Sequence, residues 1–230
     1  MISRYGSLFA FLILASLVAA PAAADWWYAV YDGDKHVGYC HVVKSSANLG
    51  GALVKRFTAV TEARRDKAGQ YTFMHTEDRY RSGDSLVYYA STVTVKDKTT
   101  QVKATRTAQG FSFTITKGEK VKTVEVPTAS FSMVEAKEAL AKLTGPGGKI
   151  EVQALDLETG KVRKTKLEYV ADQTLEANGE NVQTKVIRAK GGFGGATFWF
   201  AEDDSLVKRE GETPLGKVTL KLTDAASARP

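Results

Sequence analysis

Cys40 and His41, the three histidines, a few acidic pairs and one glycine-rich run are the parts of this chain that could do chemistry. A thiol beside an imidazole is the beginning of a nucleophilic site. Adjacent residues on a strand point to opposite faces, however, so Cys40 and His41 cannot act as a thiol and its base. The G-x-S-x-G elbow does not occur either. His36 and His41 also fall on opposite faces of one strand, and no C-x-x-C or H-E-x-x-H accompanies them. His75 and Glu77 share a face, so a site built from His41, His75 and Glu77 across neighbouring strands is sterically possible, but no second signal supports it. Asp32, Asp34, Asp203 and Asp204 have the character of turn acids that bond their own backbone, without the spacing of a calcium loop. Gly191-Gly192-Phe193-Gly194-Gly195 is followed by the strand-like Thr197 to Phe200 and not by the helix that a phosphate cradle needs. These readings predict no catalytic residue, no metal and no cofactor.

The elements that would position any site are mostly strands. Turn signals recur at short intervals, among them Asp32-Gly33, Gly50-Gly51, Gly69, Gly83, Gly110, Gly118, Gly160 and Asn178-Gly179. Between them lie runs of Val, Thr, Tyr and Phe with period-two alternation, as in Phe111 to Ile115 and Val218 to Leu222, which predict a meandering antiparallel sheet. One stretch departs from that rhythm. From Ser132 to Leu143 the apolar positions Met133, Ala136, Leu140 and Leu143 follow helical spacing, Ser132 and Glu135 have capping-box spacing, and Gly145-Pro146 ends the run. It predicts one principal helix between a first meander, Trp26 to Val126, and a second, Lys149 to Thr223. In the first hairpin, an Asp32-Gly33 turn of type I′ predicts that Tyr28 faces Val37 and Trp27 faces Gly38. Both faces of that hairpin are then apolar or aromatic, so each needs a cover.

The 230 residues carry a formal net charge of +6. Lysines and arginines are spread along the strands, often two apart, which suits the solvated face of a sheet and gives no nucleic-acid footprint. Arg4, the apolar run Leu8 to Ala20 and Ala22-Ala23-Ala24 before Asp25 have the order of a secretory signal peptide, residues 1–24, cleaved near Ala24. The expectation is therefore an exported chain, not membrane-spanning, forming a single β-rich domain over residues 25–230 and working in the periplasm. Cys40 is single, so packing and not a disulfide must hold the fold.

Two phrases carry a family likeness. Val30 to Tyr39, with Gly33, Val37, Gly38 and Tyr39, resembles the opening hairpin of uncharacterised bacterial periplasmic domains. Phe198-Trp199-Phe200-Ala201-Glu202-Asp203-Asp204-Ser205-Leu206-Val207-Lys208 is similar to their closing hairpin, with Asp204 where glycine is usual. Such domains resemble the outer-membrane lipoprotein carrier, which implies an incurved antiparallel half-barrel sheet with one principal helix against its concave face. The implied use is binding of a hydrophobic small molecule or lipid in an apolar groove. The candidate groove comprises Phe57, Phe73, Tyr88, Phe113, Phe198 and Phe200 from the sheet, with Met133, Ala136, Leu140 and Leu143 from the helix. The alternative is a non-enzymatic scaffold that docks a periplasmic or outer-membrane protein by β-augmentation. A hydrolase with an unfamiliar site is a third class.

Overall fold

The structure, a computed structural model, describes residues 24–65, 71–192, 194–213 and 216–230. The leader up to residue 23 and Gly69 lie outside the described residues, as does Phe193 of the glycine-rich run. Fourteen strands follow in chain order: β1 (Ala24–Asp32), β2 (Lys35–Leu49), β3 (Ala52–Arg65), β4 (Tyr71–Ser82), β5 (Ser85–Val95), β6 (Lys98–Arg106), β7 (Gly110–Lys117), β8 (Lys120–Pro127), β9 (Lys149–Asp156), β10 (Lys161–Ala177), β11 (Glu180–Gly191), β12 (Thr197–Ala201), β13 (Leu206–Thr213) and β14 (Gly216–Thr223). They form one antiparallel sheet in the order β8-β7-β6-β5-β4-β3-β2-β1-β14-β13-β12-β11-β10-β9. Every ladder joins sequence neighbours except β1 with β14, which ties the two ends of the chain together. The fold is mainly β, as the turn spacing predicts.

The sheet curls without closing. Phe113 of β7 lies against Gly160 in the β9–β10 turn, although the two strands are far apart in the sheet order. The gap between β8 and β9 is bridged by residues 128–148, and here the structure corrects the helix. Ser132 and Met133 run beside β9, donating to the Gln153 carbonyl at 2.8 and 3.2 Å, while Leu155 donates back to Met133 at 2.8 Å. Within Ser132 to Leu143 only Ala136–Ala139 is helical, as a single 3₁₀ turn, and the capping box that forms is Glu135 with Glu138 and not Ser132 with Glu135. At the far end Gly147 and Gly148 bond the backbone of Tyr169 on β10. A segment this short has little helical stability of its own, and anchors at both ends fix its path. Its apolar positions still face inward: Met133, Ala136, Ala139 and Leu143 are buried.

The first hairpin has a different register from the one its turn residues predict. Its loop is Gly33-Asp34, with Gly33 in first position at φ +60, as a Gly-X turn requires. Tyr31 then faces His36, and a bulge between Val30 and Tyr31 leaves Val37 as an extra residue. Tyr28 faces Cys40 and Trp27 faces His41, in place of Val37 and Gly38. Tyr28, Val30, Cys40 and Val42 consequently point into the core. Gly38 is fixed by its neighbour strand, since a Cβ there would sit 2.0 Å from the Glu62 carbonyl oxygen.

The outer face of this hairpin is covered by the chain's own end. Helix α1 (Ala225–Ala228) packs on β1 and β2, His36 hydrogen-bonds the Ala228 carbonyl at 2.9 Å, and the Arg229 guanidinium lies 4.9 Å from the Trp27 ring. No helix among the described residues is long and apolar enough to cross a membrane.

Candidate functional site

The concave face holds two apolar clusters. The larger draws on β1 to β5, β9 to β14 and the 133–143 segment. The smaller draws on β5 to β8 with Leu155 and Leu157, and Phe131 packs against it. Charged side chains adjoin both, and they begin on β4. That strand points Phe73, His75, Glu77, Arg79 and Arg81 inward at every second position, and all five are buried. After one phenylalanine, four successive inward positions are ionisable. Burial of such groups is costly unless each finds a partner.

The partners come from three other places. Glu135, the cap of the 3₁₀ turn, accepts from Arg79 Nη1 at 2.6 Å and also pairs with Arg81. Lys137 Nζ lies 4.0 Å from the same carboxylate. Glu77 pairs with the Arg79 Nε. Glu158, in the β9–β10 turn, accepts from the Tyr89 hydroxyl and from Ser91 Oγ, the latter at 3.0 Å, and stands 3.5 Å from His75 Nε2. Tyr89 Oη is also 3.4 Å from Glu77 Oε2. The turn is itself braced by Asp156, which accepts from the Glu158 amide at 3.0 Å and pairs with Arg163 at 3.6 Å.

The electrostatics follow from burial. The Glu77 carboxyl is held above its ordinary value of 4.5 by desolvation, opposed by Arg79 and His75 and reinforced by Glu158. Arg81 falls to about 10 through burial and the neighbouring Arg79. Lys137 falls to about 8 through burial and then Arg81 and Arg79. The cations thus gather around Glu135, while Glu158 faces hydroxyls and an imidazole. At that corner the donor atoms of His75, Glu77 and Glu158 all lie within 4.8 Å of one another, the spacing of a metal-ligating trio.

Of the residues expected to line an apolar groove, Phe57, Phe73, Met133, Ala136, Leu143, Phe198 and Phe200 come together in the larger cluster, with Leu140 packed against it. Phe113 belongs to the smaller cluster. Tyr88 lies apart, half-buried, in an edge-on contact with Tyr80. The eight in the larger cluster are packed into one apolar core. The surface hollows beside Lys149, Glu151 and Lys166 and beside Lys98, Thr100 and Lys117 include none of them.

His41 is on the outer face, stacked on Trp27 at 3.8 Å and paired with Asp25, so it does not join His75 and Glu77. Cys40 is buried, and burial pushes its thiol up to about 12. Ser205-x-x-Lys208 has the spacing of a nucleophile with its base, but Lys208 lies over the Trp199 ring and pairs with Glu210. Sequence reasoning missed Arg79, Arg81, Tyr89, Glu135 and Glu158. The one available signal was the run of ionisable residues at every second position of β4, in phase with the inward-facing Phe73.

The family described as "Domain of unknown function (DUF6134)" matches residues 28–223. The chain belongs to this family. No curated protein matches the chain. The crystal structure of a beta-barrel-like protein of domain of unknown function DUF1849 from Brucella abortus is similar at 9% identity, covering 86% of this chain and 94% of that one, with a TM-score of 0.49.

Proposed function

We propose that the chain is an exported, non-enzymatic docking module that receives an extended, acidic segment of a protein partner along the edge of β8. The observation that carries this reading is the open side of the sheet, where β8 is the outermost strand, eight residues long and almost wholly exposed. In a hairpin closed by a two-residue loop, the residues flanking the loop form a hydrogen-bonded pair and the pairs then alternate. With Lys117 opposite Lys120, the amides of Val121, Thr123 and Glu125 point away from β7. A strand laid there gains main-chain hydrogen bonds. Val121, 65% exposed, offers an apolar contact, and Lys117, Lys120 and Lys122 favour an acidic guest. Export is supported by the leader-like order of residues 4–24.

A second reading is favoured by the segment 132–143. It is an irregular strap whose buried Met133, Ala136, Ala139 and Leu143 cover the larger cluster, so displacing it would expose a lipid-sized apolar surface. That is the carrier use implied by the likeness to the outer-membrane lipoprotein carrier.

A photo-crosslinkable residue at Val121 in the producing cell tests the docking reading. It should join one protein reproducibly, and Thr123→Pro, which removes an outward amide and spares the β7 ladder, should abolish the crosslink. No crosslink at Val121, or one that Thr123→Pro leaves intact, would overturn it. Saturable uptake of a fluorescent fatty acid by wild type but not by folded Leu140→Glu would put the carrier reading in its place.

A further inference from the structure

The geometry points to a divalent transition-metal site, of the kind that takes zinc, formed by His75, Glu77 and Glu158 inside the sheet. The three side chains come from β4 and from the β9–β10 turn, and none is more than 6% exposed. One imidazole nitrogen and two carboxylate oxygens make a borderline donor set, suited to Zn²⁺ and its first-row neighbours rather than to calcium. His75 Nε2 and Glu158 Oε1 at 3.5 Å are close to the separation of two ligands on one tetrahedral ion, whose bonds to nitrogen and oxygen are about 2.0–2.2 Å.

The surroundings have the form of an outer ligand shell. Ligating carboxylates are themselves hydrogen-bonded by groups that orient them. Tyr89 and Ser91 do this for Glu158, and Arg79 for Glu77. Both carboxylates are withdrawn from water and their oxygens lie close together. A divalent ion bound by both, and by the imidazole, would neutralise the pair at once. The ligands meet only when the β9–β10 turn docks against β4, so binding would add directly to the stability of the curled sheet.

The test uses chelator-stripped full chain titrated with Co²⁺ and then Zn²⁺. One equivalent of Co²⁺ should produce visible d–d absorption, Zn²⁺ should displace it, and X-ray absorption of the zinc form should show one imidazole among oxygen ligands. His75→Gln, Glu77→Gln and Glu158→Gln should each weaken binding at least about ten-fold. His41→Gln, at the surface pair with Asp25, should leave it unchanged. Failure of the wild-type chain to bind either ion, an X-ray absorption spectrum without imidazole, or loss of binding in His41→Gln instead of Glu158→Gln would overturn the site. The wild-type spectra decide the matter even where a variant does not fold.

Discussion

The larger apolar cluster and the charged band on β4 share one face of one sheet, yet different physics holds them. The apolar cluster is a set of side chains that need only be greasy and about the right size, since transfer from water is proportional to area and has no direction. The charged band is a set of named pairs: Glu135 with Arg79 and Arg81, Glu158 with Tyr89, Ser91 and His75, Asp156 with Arg163. Each member is there because another is. Volume can be traded within the first region, whereas in the second a deletion takes a specific partner from a buried charge. The band also joins parts of the chain that have no ladder in common, namely β4 and β5, the strap across the gap, and the β9–β10 turn.

Glu135→Ala should break this contrast most severely. It takes the shared carboxylate from two buried guanidinium groups, leaving Arg79 only Glu77, and losses of about 3–5 kcal/mol are typical of such a cut. Urea unfolding should show it as a large fall in midpoint. Gly38→Ala should come next, at about 1–3 kcal/mol, because its new Cβ meets the Glu62 carbonyl and forces β2 from β3. Met133→Leu, two residues before Glu135 but facing the apolar cluster, should cost less than about 1.5 kcal/mol in the same assay. If Met133→Leu and Glu135→Ala proved equally damaging, the distinction between the two regions would fail.

Two smaller effects sharpen it. The Glu77 carboxyl has a folded value raised above its ordinary 4.5, so it binds its proton more tightly in the folded chain. The stability this contributes is complete below the unfolded value and is lost as pH rises through the folded one. Unfolding midpoints measured from acid towards neutral pH should carry that downward component in wild type, and Glu77→Gln should remove it. Last, Arg229→Ala on the outer face should leave the unfolding midpoint almost unchanged while altering Trp27 fluorescence, because only a cation over two half-buried rings, Trp27 and Tyr39, is lost.

The β class and the meander were legible from glycine spacing and alternation. So was the inward face of 132–143, since Met133, Ala136 and Leu143 are buried whatever the backbone that presents them. Its conformation was not legible, because hydrogen bonds to Gln153 and Tyr169, distant in sequence, decide it. The register of the first hairpin escaped for a related reason. The turn sits one residue later than predicted, at Gly33-Asp34, and a bulge at Val37 then inserts a residue without any mark in composition, a shift of one that exchanges the two faces of a strand. The charged band was half visible. His75, Glu77, Arg79 and Arg81 alternate in phase with Phe73, but charged residues on a strand suggest a solvated face until their partners are known. Glu135 and Glu158 lie where nothing local connects them to β4.

The pairing of β1 with β14 bears on how the chain comes to be folded. All other ladders link neighbours, so each hairpin can zip as soon as its own residues are available, with little loop entropy to overcome. The first strand must wait for the last. A chain delivered from its amino end can therefore assemble two stacks of hairpins while its opening strand, with Trp26, Trp27 and Tyr28, still has one bare edge. Only arrival of Val218 to Thr223 finishes the sheet on that side. Completion is thus timed by the carboxyl end, and a chain truncated before β14 would keep an aromatic strand edge available to holding chaperones or to other copies of itself.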